Sequence, residues 1–351
     1  MFNDKSIAIT GGTGTFGRKF AELVLQRYKL RRLIIFSRDE LKQYEMAHRF
    51  SPVEYPEIRY FIGDVRDMDR LKEAFRDVDY VIHAAGMKQV FAAEYNPFEA
   101  IKTNVLGAQN VIRACIACGV RKAVALSTDK AGAPISLCGA TKLCSDKLFI
   151  AGNAMSGGSA PMFSVVRYGN VFDATDGVVS LFLKQRNGGI LTITDPRMTR
   201  FSITQKEAVE FVLKSMLRMK GGEIFIPRIP SYRIADLAKA IAPMASLQTI
   251  GMRQGERLNE VLIPEDESWH TVEYENHYQI LPVDQLGQFD SEMCEKNAKS
   301  VPPGFTYRSN TNPCFLSVEE LKKSILQSHP HQVNLFMPQI DMVKNQIQQL
   351  N

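Results

Sequence analysis

Short apolar, β-branched runs recur through the first half of the chain, "SIAIT", "RLIIF", "IRYFI", "DYVIHA" and "KAVALS", separated by stretches whose apolar residues return every three or four positions. Runs this continuously apolar suit strands buried on both faces, and the intervals between them are long enough for crossover helices. The pattern predicts an α/β fold, a Rossmann-type doubly wound parallel sheet with helices on both sides. Asn96 and Pro97 are placed to open one of these helices, Phe98, Ile101, Val105, Ile112 and Cys115 to form its buried stripe, and Gly119 to end it. After "FSVVRYGN", residues 163–170, the alternation fades and shorter elements follow. One is a helix opened by Thr204 with Glu207 three residues on, the spacing of a capping box. We read residues 1–170 as the main sheet domain, to which some later segments return, 171–330 as a smaller mixed α/β lobe, and 331–351 as a tail whose "MVKNQIQQLN" is a helix or a frayed end.

Composition narrows the class further. The 351 residues are 45% hydrophobic and 23% charged, as in ordinary globular chains. The formal charge of +5 is spread thinly, without the basic block that tracks a phosphate backbone, so no nucleic-acid partner is expected. Nowhere does an apolar run approach the roughly 18 residues that span a bilayer, and the reading is a cytoplasmic protein with no membrane partner. Six cysteines lack the spacing of a disulfide scaffold. Cys115 and Cys118 form a CxxC inside a helical run without a second ligand pair nearby, which reads as core packing, and no metal is expected.

Chemistry enters directly after the first strand. In "TGGTGTFGRKF", Gly11, Gly14 and Gly17 stand at three-residue intervals before a helix. Such glycines let a turn tighten and the backbone approach a pyrophosphate, which then rests on free N–H groups at the helix start. The first 170 residues are therefore read as binding a nicotinamide dinucleotide. Where an NAD site offers a carboxylate to the ribose, at the end of the second strand, Ser37 and Arg38 stand instead, and Arg38 can pair with a 2′-phosphate. NADP is the expected cofactor and NAD the rival, with Asp39 as its ribose ligand. Asp64, after the third strand, is placed to meet the adenine amino group.

The glycine spacing together with "HAAG", "KTNVLGAQNV", "LSTDKA" and a lysine four residues after Cys138 resembles the extended short-chain dehydrogenase/reductases that act on nucleotide sugars. Longer stretches, "FSRDELKQYEM", "GATKLCSDKLF", "TDPRMTRFSITQKEAVEFVL" and "VEYENHYQILP", are similar to the inverting UDP-N-acetylglucosamine 4,6-dehydratases over nearly the whole chain. That resemblance implies a bacterial surface-glycan enzyme, a homo-oligomer that takes a UDP-sugar. It implies oxidation at sugar carbon 4, loss of water across carbons 5 and 6 and return of hydride to carbon 6, so that the cofactor ends as it began. It implies a cofactor set completed by Thr15, Phe16, Lys42, Val65, Ala84, Ala85, Asn104 and Lys142. Lys88, Asn170, Arg200, Arg253 and Glu256 match positions that hold substrate.

By the same resemblance, Asp129 protonates the leaving hydroxyl, Lys130 works as acid and base at carbon 5, and Thr128 hydrogen-bonds the 4-oxygen. Lys142 holds the nicotinamide ribose and lowers the pKa of residue 138, where relatives carry tyrosine and this chain carries Cys138. A thiol in a cationic site could ionise more readily than a phenol, but it is too short to reach the sugar directly. Longer relatives with methionine there imply that the Thr-Asp-Lys group suffices. "GNVFDATDGVVS" departs from the family pattern and sets Asp173 and Asp176 near the expected diphosphate path; Phe91 and Met87 are further departures. An NADP-binding partner subunit without turnover and a nucleotide-sugar 4-epimerase are the alternative readings.

Overall fold

The computed structural model describes residues 2–157, 160–174, 177–282 and 297–328, so Asp176 and the closing decapeptide lie outside the described residues. The first half alternates as its pattern predicts: β1 Ser6–Thr10, α1 Thr15–Arg27, β2 Arg32–Ser37, α2 Glu40–Arg49, β3 Ile58–Ile62, α3 Met68–Phe75, β4 Tyr80–His83, α4 Val90–Tyr95, α5 Pro97–Ile101, α6 Gly107–Ala117, β5 Lys122–Thr128, α7 Leu137–Met155 and β6 Met162–Tyr168. The second half holds α8 Val178–Gln185, β7 Ile190–Ile193, β8 Thr199–Phe201, α9 Gln205–Arg218, β9 Ile224–Pro227, β10 Ser231–Arg233, α10 Ile234–Ile241, β11 Ser246–Thr249, β12 Val261–Ile263, β13 Thr271–Glu273, β14 His277–Ile280, β15 Lys299–Ser300, β16 Tyr307–Arg308 and α11 Val318–Ser328.

A ten-stranded sheet runs β15-β13-β14-β9-β6-β5-β4-β1-β2-β3. From β9 to β3 the strands are parallel, with β14, β13 and β15 added antiparallel at the far edge. The alternation of the sequence thus ends at β6, but the sheet does not. Because strand side chains alternate, Ile7, Ile9, Leu33 and Ile35 cluster with Phe20 and Val24 of α1 and with Val212 and Met216 of α9. Ala8, Ile34 and Phe36 face the opposite layer, with Leu71 and Phe75 of α3 and Val111, Ile112 and Cys115 of α6. A separate cluster joins Val179, Phe182, Leu237, Ile241, Leu321 and Ile325 from α8, α10 and α11. Among the described residues no helix is long and apolar enough to cross a membrane.

Two helix ends show sequence chemistry at work. Thr204 and Glu207 form the reciprocal capping box at the start of α9. Thr204→Ala is expected to lower stability by about 1 kcal/mol, visible as a fall in the urea midpoint at constant slope; an unchanged midpoint would mean the cap contributes nothing. The helix expected from Asn96 to Gly119 differs from its pattern. Pro97 does open α5 and Gly119, at φ +64°, does follow the end of α6, but Lys102–Leu106 is a π-helical turn between them. Its wider turn rotates the face presented to the core. Phe98 is 74% exposed and Ile101 points out too, whereas Thr103 and Asn104 turn inward and only Ile112 and Cys115 of the expected stripe are fully buried. Turns of this kind interrupt α-helices frequently at functional sites.

Candidate active site

Parallel strands deliver their carboxyl ends to one edge, and the loops after β1, β4, β5 and β6 converge there on a cleft of about 2060 Å³. Gly11 has φ +68°, and a Cβ on it would lie 2.8 Å from the nitrogen of Ala85. A Cβ on Gly17 would lie 2.2 Å from the carbonyl oxygen of Gly12. Both positions exclude a side chain, one where two loops meet and one where α1 crosses its own loop. Gly14 is the N-cap of α1, no acidic residue occupies the first turn, and Thr15, Phe16 and Gly17 border the cleft. The free N–H groups of such a helix start favour an anion such as a pyrophosphate.

Farther along the cleft, Ser37 is buried and bonded to Thr13 Oγ1 at 2.7 Å, and Arg38 and Lys42 border the opening. Asp39 accepts from the backbone N–H of Lys42 and pairs with its Nζ at 2.9 Å, so its carboxylate serves as the cap of α2. Asp64 is turned away from the expected adenine contact. Its carboxylate is held by Arg66 at 2.7 Å and by Arg38 at 3.4 Å, while Gly63 and Val65, not Asp64, border the cleft. Arg18 and Arg49 also line this end, cations that the sequence reading missed because their partners, Glu45 and Glu22, lie on distant turns.

Ala84 and Ala85 border the cleft, and Ala85 donates to Thr10 Oγ1 at 3.3 Å. Asn104 does not border it; from the π turn its amide accepts from Met87 N–H at 2.7 Å and donates to the Met87 carbonyl and to Thr141 Oγ1, both at 3.0 Å. Its part is to brace the loop after β4 against α7. Lys142, on that helix, is shifted below the ordinary lysine range by burial, with Asp146 and Cys138 opposing the shift.

At the end of β5, Thr128 Oγ1 donates to Asp129 Oδ1 at 2.8 Å, and Lys130 Nζ stands 3.4 Å from the same oxygen. Gly139 permits this arrangement, since a Cβ there would lie 2.3 Å from the carbonyl oxygen of Lys130. α7 can therefore pack directly on the Thr-Asp-Lys turn. Asp129 raises the pKa of Lys130, against burial and with help from Glu260, so the resting amine is an ammonium. Cys138 overturns one expectation. Its side chain is 1% exposed in a small apolar cluster with Ala93 and Ala100, and its thiol lies 3.5 Å from the Met87 carbonyl. Burial pushes the thiol above its usual range despite the opposing pull of Lys130 and Lys142. The cationic neighbours are present, but desolvation outweighs them.

On the opposite wall, Asn170 Oδ1 accepts from Lys130 Nζ at 3.5 Å and Asn170 Nδ2 donates to Glu260 Oε1 at 2.6 Å. Glu260 was not among the sequence candidates; its signal was a carboxylate set directly before the fully buried strand "VLI". Arg200 borders the cleft but is fully engaged within the fold. Its Nε faces Glu260, while its other nitrogens donate to the carbonyls of Thr199, Arg257 and Leu258 and to the Met198 sulfur. Arg253 and Glu256 close a loop on each other, Glu256 Oε2 accepting from Arg253 N–H at 3.1 Å, and both line the cleft with Arg257 and Lys88. Asp173 does not face the cleft as expected; it accepts from Gln205 N–H at 2.8 Å at the start of α9.

Comparison with known proteins identifies what the whole chain is similar to. The family model described as "Polysaccharide biosynthesis protein" matches residues 7–282. A UDP-N-acetylglucosamine 4,6-dehydratase (inverting) of Campylobacter jejuni subsp. jejuni serotype O:2 is 53% identical over 331 residues, 93% of this chain and 98% of that one. A UDP-glucose 4-epimerase of Rickettsia bellii is 38% identical over 334 residues, 93% of this chain and 96% of that one. Among solved structures, Pen from Bacillus thuringiensis superposes with a TM-score of 0.85 at 37% identity, covering 94% of this chain and 99% of that one. The chain belongs to the polysaccharide biosynthesis protein family.

Proposed function

We propose that the protein is an NADP-dependent 4,6-dehydratase of UDP-N-acetylglucosamine that inverts carbon 5. The observation that carries the reading is the Thr128, Asp129 and Lys130 turn, held by Gly139 against α7 at the inner end of a cleft that begins at a glycine cradle. The 53% identity to an inverting dehydratase supports it. A nicotinamide dinucleotide, held by the glycine cradle, would supply reversible hydride acceptance. Lys142 would hold its ribose, and Arg253, Arg257 and Lys88, which line the same cleft, would hold the diphosphate.

The chain's own residues then manage protons. Elimination needs an acid for the departing hydroxyl and a base at carbon 5. Asp129 and Lys130 rest as an ion pair 3.4 Å apart. Shifting one proton from Nζ to Oδ1 makes a carboxylic acid and a free amine, the two forms elimination uses. Thr128 donates to that same carboxylate and fixes its direction. Incubation of the purified protein with UDP-N-acetylglucosamine should yield a nucleotide sugar lighter by one water with no net reduction of NADP. A product of unchanged mass would favour epimerisation, and NADP binding without any product would favour a partner subunit.

Preference for NADP rests on Arg38 and on Asp39, whose carboxylate already caps α2. Arg38→Ala is expected to weaken NADP binding about ten- to a hundredfold, the value of a charge-assisted pair, and NAD binding by less than about twofold. Equal affinity of the natural protein for both cofactors, measured by calorimetry, would refute the assignment.

A further inference from the structure

We propose that Glu260 is a positioning residue of the dehydration site, the group that turns the Asn170 amide so that its oxygen faces Lys130. The inference rests on the dehydratase reading for its role in turnover, though not for its geometry. Glu260 is 3% exposed and sits where three N–H donors converge. Asn170 Nδ2 reaches Oε1 at 2.6 Å, Phe201 N–H reaches Oε2 at 2.8 Å, and Arg200 Nε faces Oε1 at 3.4 Å. Its own N–H donates to Ser309 Oγ at 2.9 Å, which ties the residue to the backbone around it.

A carboxylate has only acceptors, so the Asn170 amide must offer it the NH₂ group and turn its oxygen toward Lys130. Reversed, the amide would set two donors against the Lys130 ammonium. The charged and titratable groups around Glu260 are Asp129 and Lys130 beyond β5, Arg200 on β8 and Tyr232 on β10. Burial and the Asp129 carboxylate raise the Glu260 carboxyl and Arg200 and Lys130 pull it back, while N–H donors on both of its oxygens hold it in the carboxylate form. The chain Arg200, Glu260, Asn170, Lys130, Asp129 is thus one electrostatic unit, and a change at Glu260 reaches Lys130 through the intervening amide.

Glu260→Gln tests this with almost no change of shape. A glutamine has a single acceptor oxygen, so one orientation sets its NH₂ against Phe201 N–H and the other sets it against Asn170 Nδ2. Asn170 can relieve the second clash only by turning its own NH₂ onto Lys130. The variant is expected to lose kcat by about a hundredfold, with KM for UDP-N-acetylglucosamine and NADP affinity within about threefold. In the double variant Asn170→Asp/Glu260→Gln the carboxylate moves to residue 170, accepts from the new amide at position 260 and again offers an oxygen to Lys130, so about tenfold or more of the loss should return. Unchanged kcat in folded Glu260→Gln, or a raised KM with kcat intact, would overturn the proposal.

A second readout does not depend on the reaction. With lysines labelled by reductive ¹³C-methylation, the NMR signal absent from Lys130→Arg reports Lys130. In Glu260→Gln it should titrate about one pH unit or more lower than in the natural protein. An identical titration would overturn the positioning role even if turnover fell. A shifted titration in a protein that makes no dehydrated product would uphold the role and reject the dehydratase reading.

Discussion

Lys130→Ala is expected to cut dehydrated product formation by about a thousandfold or more, and Asp129→Asn to do the same, while Cys138→Ala stays within about threefold of the natural protein. The asymmetry follows from where each group sits. Asp129 and Lys130 stand as an ion pair 3.4 Å apart at the cleft, and each variant removes one of the two groups that the proposed proton exchange needs. The Cys138 thiol borders the same cleft but is buried among alanines, and burial raises it above its usual range, so it offers no thiolate base near neutral pH. Steady-state rates for the three variants, with NADP binding measured beside them, check the ordering. An inactive Cys138→Ala that still binds NADP, beside a working Lys130→Ala, would reverse it.

The second large effect is on the fold beneath the site. Arg167 on β6 is completely buried; it donates to the Leu262 carbonyl at 3.1 Å and to Glu267, and pairs with Asp146 of α7 at 3.5 Å. Asp146 also accepts from Ser127 Oγ at 2.6 Å. Burial pushes the Asp146 carboxyl above its usual range, and Arg167 and Ser127 oppose that shift. Arg167→Met fills the space but leaves two acids without their cation, a change that costs about 3–5 kcal/mol when one partner of a buried pair is removed. Because α7 carries Gly139 and Lys142, cofactor affinity should weaken with stability. Chemical denaturation would show the loss; a midpoint equal to that of the natural protein would mean that water or a local shift replaces the arginine.

The sheet and the cradle were legible because their causes are local. Strands buried on both faces must be apolar throughout, and a loop on which a Cβ would lie 2.8 Å from its neighbour's backbone must carry glycine there, as at Gly11. The Thr-Asp-Lys turn was legible as well, being three consecutive residues after a strand. What escaped depends on distant partners. Nothing near Lys102–Leu106 announces a π turn, yet that turn swings Asn104 inward and Phe98 outward. Asp64 and Asp173 read as binding-cleft acids until Arg66 and Gln205 are seen to hold them. Cys138 has the predicted cationic neighbours, but its ionisation is decided by burial, which depends on Ala93 and Ala100 from other helices. Glu260 gains meaning only where β5, β6 and β8 bring Lys130, Asn170 and Arg200 around it.

Acid-base elimination by Asp129 and Lys130 can be followed by running the natural protein on UDP-N-acetylglucosamine in deuterated water and recording the sugar by NMR. The expected result is a 4-keto-6-deoxy product with solvent deuterium at carbon 5 and inverted configuration there, and loss of both product and carbon-5 label in Lys130→Ala. Product carrying the original hydrogen at carbon 5, or a carbon-4 epimer with no loss of water, would contradict it.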